Sequence, residues 1–235
     1  MKLSIIIPVL NEAPIIGQIL SSLQPIRRRG HEVIVVDGGS DDQSLLISAP
    51  FSDKVTQSLR GRSRQMNAGA DLSTGEILLF LHADTSLPND ADRLIIEGMN
   101  DRHRLWGRFD VKFSGRHPLL RVIEFLMNWR SRLSCIATGD QGIFVERDLF
   151  KEIGGFPEID LMEDIALCKM LKKYGRPLCL RQQIMTSSRR WEEKGLFRTV
   201  LLMWFLRFAY FFKADPRRLA KLYPPTQKTP DSVRG

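Results

Sequence analysis

Short apolar runs alternate with stretches of helical period through the first hundred residues. Residues 3–7 are almost continuously apolar and read as a buried strand. Pro8 to Asn11 reads as a turn, with Asn11 as the N-cap of the following helix and Pro14 in its first turn. Ile15, Ile16, Ile19, Leu20 and Leu23 then recur at helical spacing. Residues 33–36 make a second buried strand ending at Asp37-Gly38-Gly39-Ser40-Asp41, and a short helix follows to about Ser48. Residues 54–57 read as a third strand, 63–70 as a helix, 76–81 as a fourth strand and 89–99 as a capped helix. Strands alternating with helices imply right-handed crossovers and a mostly parallel, Rossmann-like α/β sheet flanked by helices.

Composition narrows this picture. A chain of 235 residues with 43% hydrophobic content is long enough for one sizeable α/β domain. The net charge of +8 is concentrated late in the chain, at Arg189, Arg190, Lys194, Arg198, Arg207, Lys213, Arg217, Arg218 and Lys221. Such an excess serves phosphate substrates, nucleic acid or anionic membrane surfaces. No zinc-finger spacing or RNA-binding aromatic signature is present, so nucleic acid ranks last. Cys135, Cys168 and Cys179 are isolated, which suggests a reducing compartment without a disulfide framework. The apolar part of the N-terminus is too short for a signal peptide, so a cytoplasmic location is expected.

Two strand ends carry acids. Asp37 follows Val36, and Asp84 lies in Leu81-His82-Ala83-Asp84-Thr85, which closes the fourth apolar run. Open α/β sheets bind ligands outside the carboxyl ends of their strands. Asp84 there offers hard oxygen atoms to a divalent cation carrying phosphates. A strand-end turn in which Asp84 caps the next helix explains the local sequence equally well. The Gly38-Gly39 pair lets backbone approach a ligand closely, or simply makes a turn. The dinucleotide fingerprint G-x-G-x-x-G and the P-loop pattern are both absent.

Residues 7–12 (Ile7-Pro8-Val9-Leu10-Asn11-Glu12), 36–42, 61–70 (from Gly61-Arg62 through Asn67-Ala68-Gly69) and 81–84 follow one another in order. This order resembles the P-x-x-N-E, V-D-D-G-S-x-D, G-K-x-x-x-x-N-x-G and D-x-D motifs of family 2 glycosyltransferases of the GT-A fold. The resemblance continues through Gly139-Asp140-Gln141-Gly142, residues 150–156, Met162-Glu163-Asp164 and Ser188-Arg189-Arg190-Trp191. It covers roughly residues 3 to 191. The Gln65-Met66-Asn67 and Leu81-His82-Ala83-Asp84-Thr85 variants, with the Arg190-Trp191 ending, are similar to a small bacterial subfamily labelled arsenosugar-biosynthesis glycosyltransferases.

The resemblance implies a nucleotide-diphospho-sugar donor, a divalent metal (Mn²⁺ or Mg²⁺) and transfer with inversion. Pro8, Asn11, Glu12, Asp37, Arg62, Asn67, His82 and Ala83 would contact the donor. Asp37 would accept hydrogen bonds from base or ribose, and Arg62, where the family often has Lys, would reach the diphosphate. Asp84 would be the metal ligand. His82 replaces the first carboxylate of D-x-D; imidazole suits Mg²⁺ poorly and Mn²⁺ better. Asp164 would be the general base. Gly139, Asp140, Gln141 and Glu163 would border the acceptor or diphosphate, together with Arg189, Arg190 and Trp191. Against this, Glu163 and Asp164 also suit an ordinary helix start, and Trp191 a packed core position.

Residues 196–212 are apolar nearly all round but short for a spanning helix, and Arg198 and Arg207 interrupt them. Such a helix packs on protein, on a second subunit as in a homodimer, or lies in a membrane interface near a lipid-linked acceptor; packing is expected for most of it, with one edge touching lipid. The expected layout is a glycosyltransferase domain at 1–191, an apolar and basic helical appendage at 192–223, and a polar disordered tail at 224–235. Two alternatives stand beside the transferase. One is a metal-dependent sugar nucleotidyltransferase, which wants a Gly-rich basic loop absent from residues 8–12. The other is a carbohydrate- or membrane-binding protein with a degenerate site.

Overall fold

Strand β1 (Leu3–Val9) is buried along nearly its whole length because it has strands on both sides. It pairs in parallel with β2 (Glu32–Asp37) and β4 (Ile77–Phe80), and β3 (Lys54–Gln57) extends the sheet beyond β2. In the computed structural model, residues 1–212 and 214–223 are described, without the side chains of Arg102, Arg190, Glu193 and Lys194. The expected tail at 224–235 lies outside the described residues.

Helices α1 (Ala13–Ser22), α2 (Gln24–Arg28), α3 (Ser44–Ser48) and α4 (Arg62–Asp71) connect these strands. After β4 come the two-residue strand β5 (Thr85–Ser86), α5 (Ala91–Arg102), β6 (Trp106–Phe113), α6 (Pro118–Ser134) and β7 (Ile143–Glu146). The chain continues with α7 (Arg147–Glu152), α8 (Glu163–Leu171), β8 (Leu178–Thr186), α9 (Arg189–Lys194), α10 (Leu196–Phe211) and α11 (Pro216–Leu222). The sheet order is β3-β2-β1-β4-β7-β6-β8-β5. The first half is parallel as expected. The second half is mixed, since β4–β7, β6–β7 and β5–β8 are antiparallel while β6–β8 is parallel.

Alternation along β1 divides the core between two faces. Ile5 and Ile7 pack with Ile16 and Leu20 of α1 on one side. Ile6 packs with Val36, Phe80, Met66 of α4 and Leu167 of α8 on the other. Each such fully buried side chain contributes about 1.5–3 kcal/mol. On the second face a Cβ at Gly69 would collide with Ile6, so α4 lies directly on β1. That contact fixes Arg62, at the start of α4, near the carboxyl ends of β1 and β2.

Two expected helix starts differ. Asn11 is not the N-cap of α1, because its backbone is left-handed at φ 53° and Glu12 takes the cap position. The Asn11 side chain instead accepts from the Asp41 N–H at 2.9 Å, and Asp42 satisfies the Ala13 N–H at 3.1 Å. The helix expected at 89–99 runs from Ala91, with Asp90 at its cap position and no side-chain cap bond. Among the described residues no helix is long and apolar enough to cross a membrane.

Candidate active site

The antiparallel pairing of β4 with β7 builds the site. Phe80 lies opposite Ile143, so the chain leaving β4 at Leu81 and His82 runs beside the chain entering β7 through Gly139 and Asp140. His82 Nδ1 stands 3.3 Å from Asp140 Oδ1. The imidazole lies against Gly139, where a Cβ would collide with it. Burial works against protonation of His82, but the hydrogen bond and charge of Asp140, with Asp84 adding to them, raise its pKa above the usual imidazole value.

Helix α8 brings two further acids. Met162 precedes it with φ 70°, an uncommon conformation for a long side chain, and is held by Leu206 and Leu219 in a small core of its own. The Gly139 N–H donates to Asp164 Oδ2 at 3.0 Å. Glu163 is buried, and burial together with the Asp164 charge raises its pKa, opposed by Arg62 at 3.9 Å. The Arg62 side chain is itself half exposed. A small cleft, partly open to solvent, has Met66, Phe80, Ile143 and Phe156 as its apolar floor, with His82, Gly139, Glu163 and Asp164 around it.

The loops after β1 and β2 are sewn together beside this cleft. The Asn11 N–H donates to Ser40 Oγ at 2.9 Å and the Glu12 N–H to Ser44 Oγ at 2.7 Å. Pro8 stands opposite Val36 in the sheet, and Ala83 is buried. Gln65, whose role sequence reading missed, donates to the carbonyls of Val9 and Val36, each at 2.8 Å, and so locks the ends of both strands. In the sequence it stood only in the Gln65-Met66-Asn67 variant, with nothing to mark its partners.

Several expected site residues have other work. Asp37 has no exposed surface; it accepts the N–H groups of Gly39 and Ser40 and the Ser40 hydroxyl, and so shapes its own turn. Asn67 clamps the backbone of Phe156, accepting its N–H and donating to its carbonyl, both at 2.9 Å. Gln141 is fully buried and turns toward α6, where it donates to Asn128 and Ser131. Trp191 packs edge-on to Phe113 at 5.3 Å between ring centroids, against Leu120 and Met127 of α6. Arg189, Arg190 and Trp191 open α9, and neither Arg189 nor Trp191 lines the cleft; the Arg190 side chain lies outside the described residues.

Arg130 of α6 and Arg207 of α10, which the motifs did not single out, both feel the Asp164 charge. So does Tyr210, whose ring carries Lys169 Nζ at 4.7 Å from its centroid. The stretch at 192–223 therefore reaches the site. Cys168 is buried beneath it, and burial pushes its thiol up to about 12, which makes it inert at neutral pH.

Among the described residues no three His, Cys, Asp or Glu side chains gather to hold a metal. Asp84 is half-buried at the strand end, with the Thr85 hydroxyl 3.4 Å from its Oδ1. One carboxylate suits a hard cation whose other oxygen ligands come from substrate phosphates and water.

Similar proteins carry the same architecture. The S. aureus TarS fragment 1-349 superposes with a TM-score of 0.66 at 22% identity, over 80% of this chain and 61% of that one. The mannosyltransferase PcManGT from Pyrobaculum calidifontis, in complex with GDP-Man and Mn²⁺, gives 0.61 at 22%, over 78% and 56%. The fold is GT-A. In sequence, a PGL/p-HBAD biosynthesis glycosyltransferase of Mycobacterium bovis is 41% identical over 98 residues, which span 39% of this chain and 38% of that relative. The model of glycosyl transferase family 2 matches residues 4–173, and the chain belongs to that family.

Proposed function

We propose that this chain moves a sugar from a nucleotide-diphospho-sugar to an acceptor hydroxyl, inverting the anomeric centre. The observation that carries the reading is the placement of Asp164: it sits at the cleft, oriented by the Gly139 N–H, near the β4 strand end that bears His82 and Asp84. Asp164 takes the proton of the acceptor hydroxyl as that oxygen bonds to the anomeric carbon. The bond from that carbon to the diphosphate breaks, and the nucleoside diphosphate leaves with the electron pair. Attack opposite the leaving group inverts the configuration.

Asp84 would hold a divalent cation, which when bound neutralises charge on the diphosphate. Arg62, beside Glu163, adds a second positive charge on that side. Pro8, Asn11, Glu12 and Ala83 form the nucleotide side, and His82 reaches the ribose or diphosphate. Gly139, Asp140 and the buried Glu163 shape the acceptor side. Family membership supports the reaction class, and the neighbour that contains GDP-Man and Mn²⁺ supports the donor class and a metal. The likeness to the arsenosugar-biosynthesis subfamily rests on sequence motifs alone.

The test is donor turnover. Purified protein with UDP- or GDP-sugars and Mn²⁺ should release nucleoside diphosphate slowly without acceptor. Failure with every donor, and no thermal stabilisation by any nucleoside diphosphate with Mn²⁺, overturns the reading.

A further inference from the structure

Helix α6 presents one continuous apolar stripe to solvent, made of Val122, Phe125, Leu126, Trp129 and Leu133. Helix α10 presents another, made of Phe197, Leu201, Trp204, Phe208 and Phe211. Trp129 is 54% exposed and Trp204 65%, a costly arrangement for side chains of this size in water. The two helices meet where Leu196 packs against Leu120 and Met127. Only Thr199 and Leu206 of α10 are buried, so much of the helix lacks the packing expected for it.

Each helix also turns one arginine inward. Nε and Nη2 of Arg130 and Nε of Arg207 are buried with no hydrogen-bond partner among the described residues. Both oxygens of their neighbour Asp164 are engaged elsewhere, by the N–H groups of Gly139 and Ile165. Orphaned guanidinium N–H groups cost free energy unless an acceptor reaches them. Burial, then the nearby Arg207 charge, pushes Arg130 down to about 10 against the pull of Asp164. Two cations near Asp164, each with unmet donors, suit the oxygens of a phosphate.

We propose that the acceptor is a hydroxyl-bearing lipid phosphate: its phosphate lies between Arg130 and Arg207, and its apolar chain lies along α6 and α10. The inference rests on the glycosyl-transfer reading above, whose acceptor it names by class. A hydroxyl close to that phosphate reaches Asp164 and gives up its proton there. Its oxygen bonds to the anomeric carbon as the sugar–diphosphate bond breaks and the nucleoside diphosphate departs with the electron pair. The exposed rings and the orphaned arginines then answer to one amphiphile, with an apolar body and an anionic head.

Vesicle flotation without donor tests this. Wild-type protein should float with phosphatidylcholine vesicles containing phosphatidylglycerol and not with phosphatidylcholine alone. R130Q/R207Q should weaken flotation roughly tenfold or more, and R130K/R207K should retain most of it. W204S/F208S should abolish it with little change in melting temperature, because both side chains are exposed. Undiminished flotation of R130Q/R207Q overturns the proposal, as does equal flotation with phosphatidylcholine alone. Stabilisation by inorganic phosphate without flotation would mean a soluble phosphate ligand and also overturns it. So would a dimer that W204S/F208S converts to monomer without any flotation, since a second copy then covers the face. Flotation is read without chemistry, so its loss counts against the lipid acceptor alone. Absent donor turnover in a protein that still floats counts against glycosyl transfer alone.

Discussion

The backbone N–H of Gly139 donates to Asp164 Oδ2 at 3.0 Å, while the His82 ring rests on the same glycine. One residue without a side chain thus spaces the acid of α8 from the imidazole at the end of β4. A methyl group at Gly139 has no room unless His82 moves. Gly139→Ala should therefore lower sugar transfer by about tenfold or more through misplacement of neighbouring groups. Kinetics beside a melting curve check this; wild-type turnover would show that the spacing is immaterial.

Asp164→Asn keeps the size of the side chain and one acceptor for the Gly139 N–H, gives up the bond from the Ile165 N–H and removes the base. Transfer should fall by roughly a hundred- to ten-thousandfold, with nucleotide affinity retained. Rates within a few-fold of wild type would make Asp164 an ordinary first-turn acid of α8.

Among the described residues no three His, Cys, Asp or Glu side chains gather at Asp84, so metal and nucleotide should bind together. Calorimetry should show weak Mn²⁺ binding alone and strong binding with UDP or GDP, lost in Asp84→Ala. His82→Asp should keep or improve use of Mg²⁺. Metal-dependent nucleotide binding that survives in Asp84→Ala would remove the assignment.

Asn67 occupies a motif position but clamps Phe156. Asn67→Ala leaves backbone groups of a buried segment without partners, at a cost on the order of 1–3 kcal/mol. Denaturant unfolding should register that loss, while nucleotide affinity of the folded protein stays near wild type. A large affinity loss at unchanged stability would restore Asn67 to the donor site.

Glu32 anchors the sheet at the edge opposite the cleft. Burial alone would raise its pKa, but hydrogen bonds from Ser4 and from the backbone and hydroxyl of Thr74, helped by Lys2, lower it from 4.5 to about 2. A carboxylate with a depressed folded pKa contributes stability fully present above its unfolded value. That contribution, at most on the order of 3 kcal/mol, is lost as pH falls from 4.5 toward about 2. Glu32→Gln should flatten the acid side of the stability profile between those values and leave the neutral-pH transfer rate unchanged. An identical acid transition in the variant would contradict this.

The sequence by itself determined the strands of the parallel half-sheet and the helices between them, because their apolar periods are local and follow from burial on one face or two. It also placed Asp84 and Asp164, each at the end of an element that an apolar run defines. Motif position did not show that Asp37 braces its own turn, that Asn67 holds the Phe156 backbone or that Gln141 binds α6, since those partners lie elsewhere in the chain or in backbone geometry. Only the tertiary structure decided which groups meet. The antiparallel pairing of Phe80 with Ile143 set Asp140 against His82, and no local period encodes that register. Likewise nothing in the sequence pattern joined Arg130 to Arg207. Packing of α10 on α8 through Leu206, Met162 and Ile165 brought Arg207 toward Asp164, because a long-range apolar contact chose the partner and the charge followed.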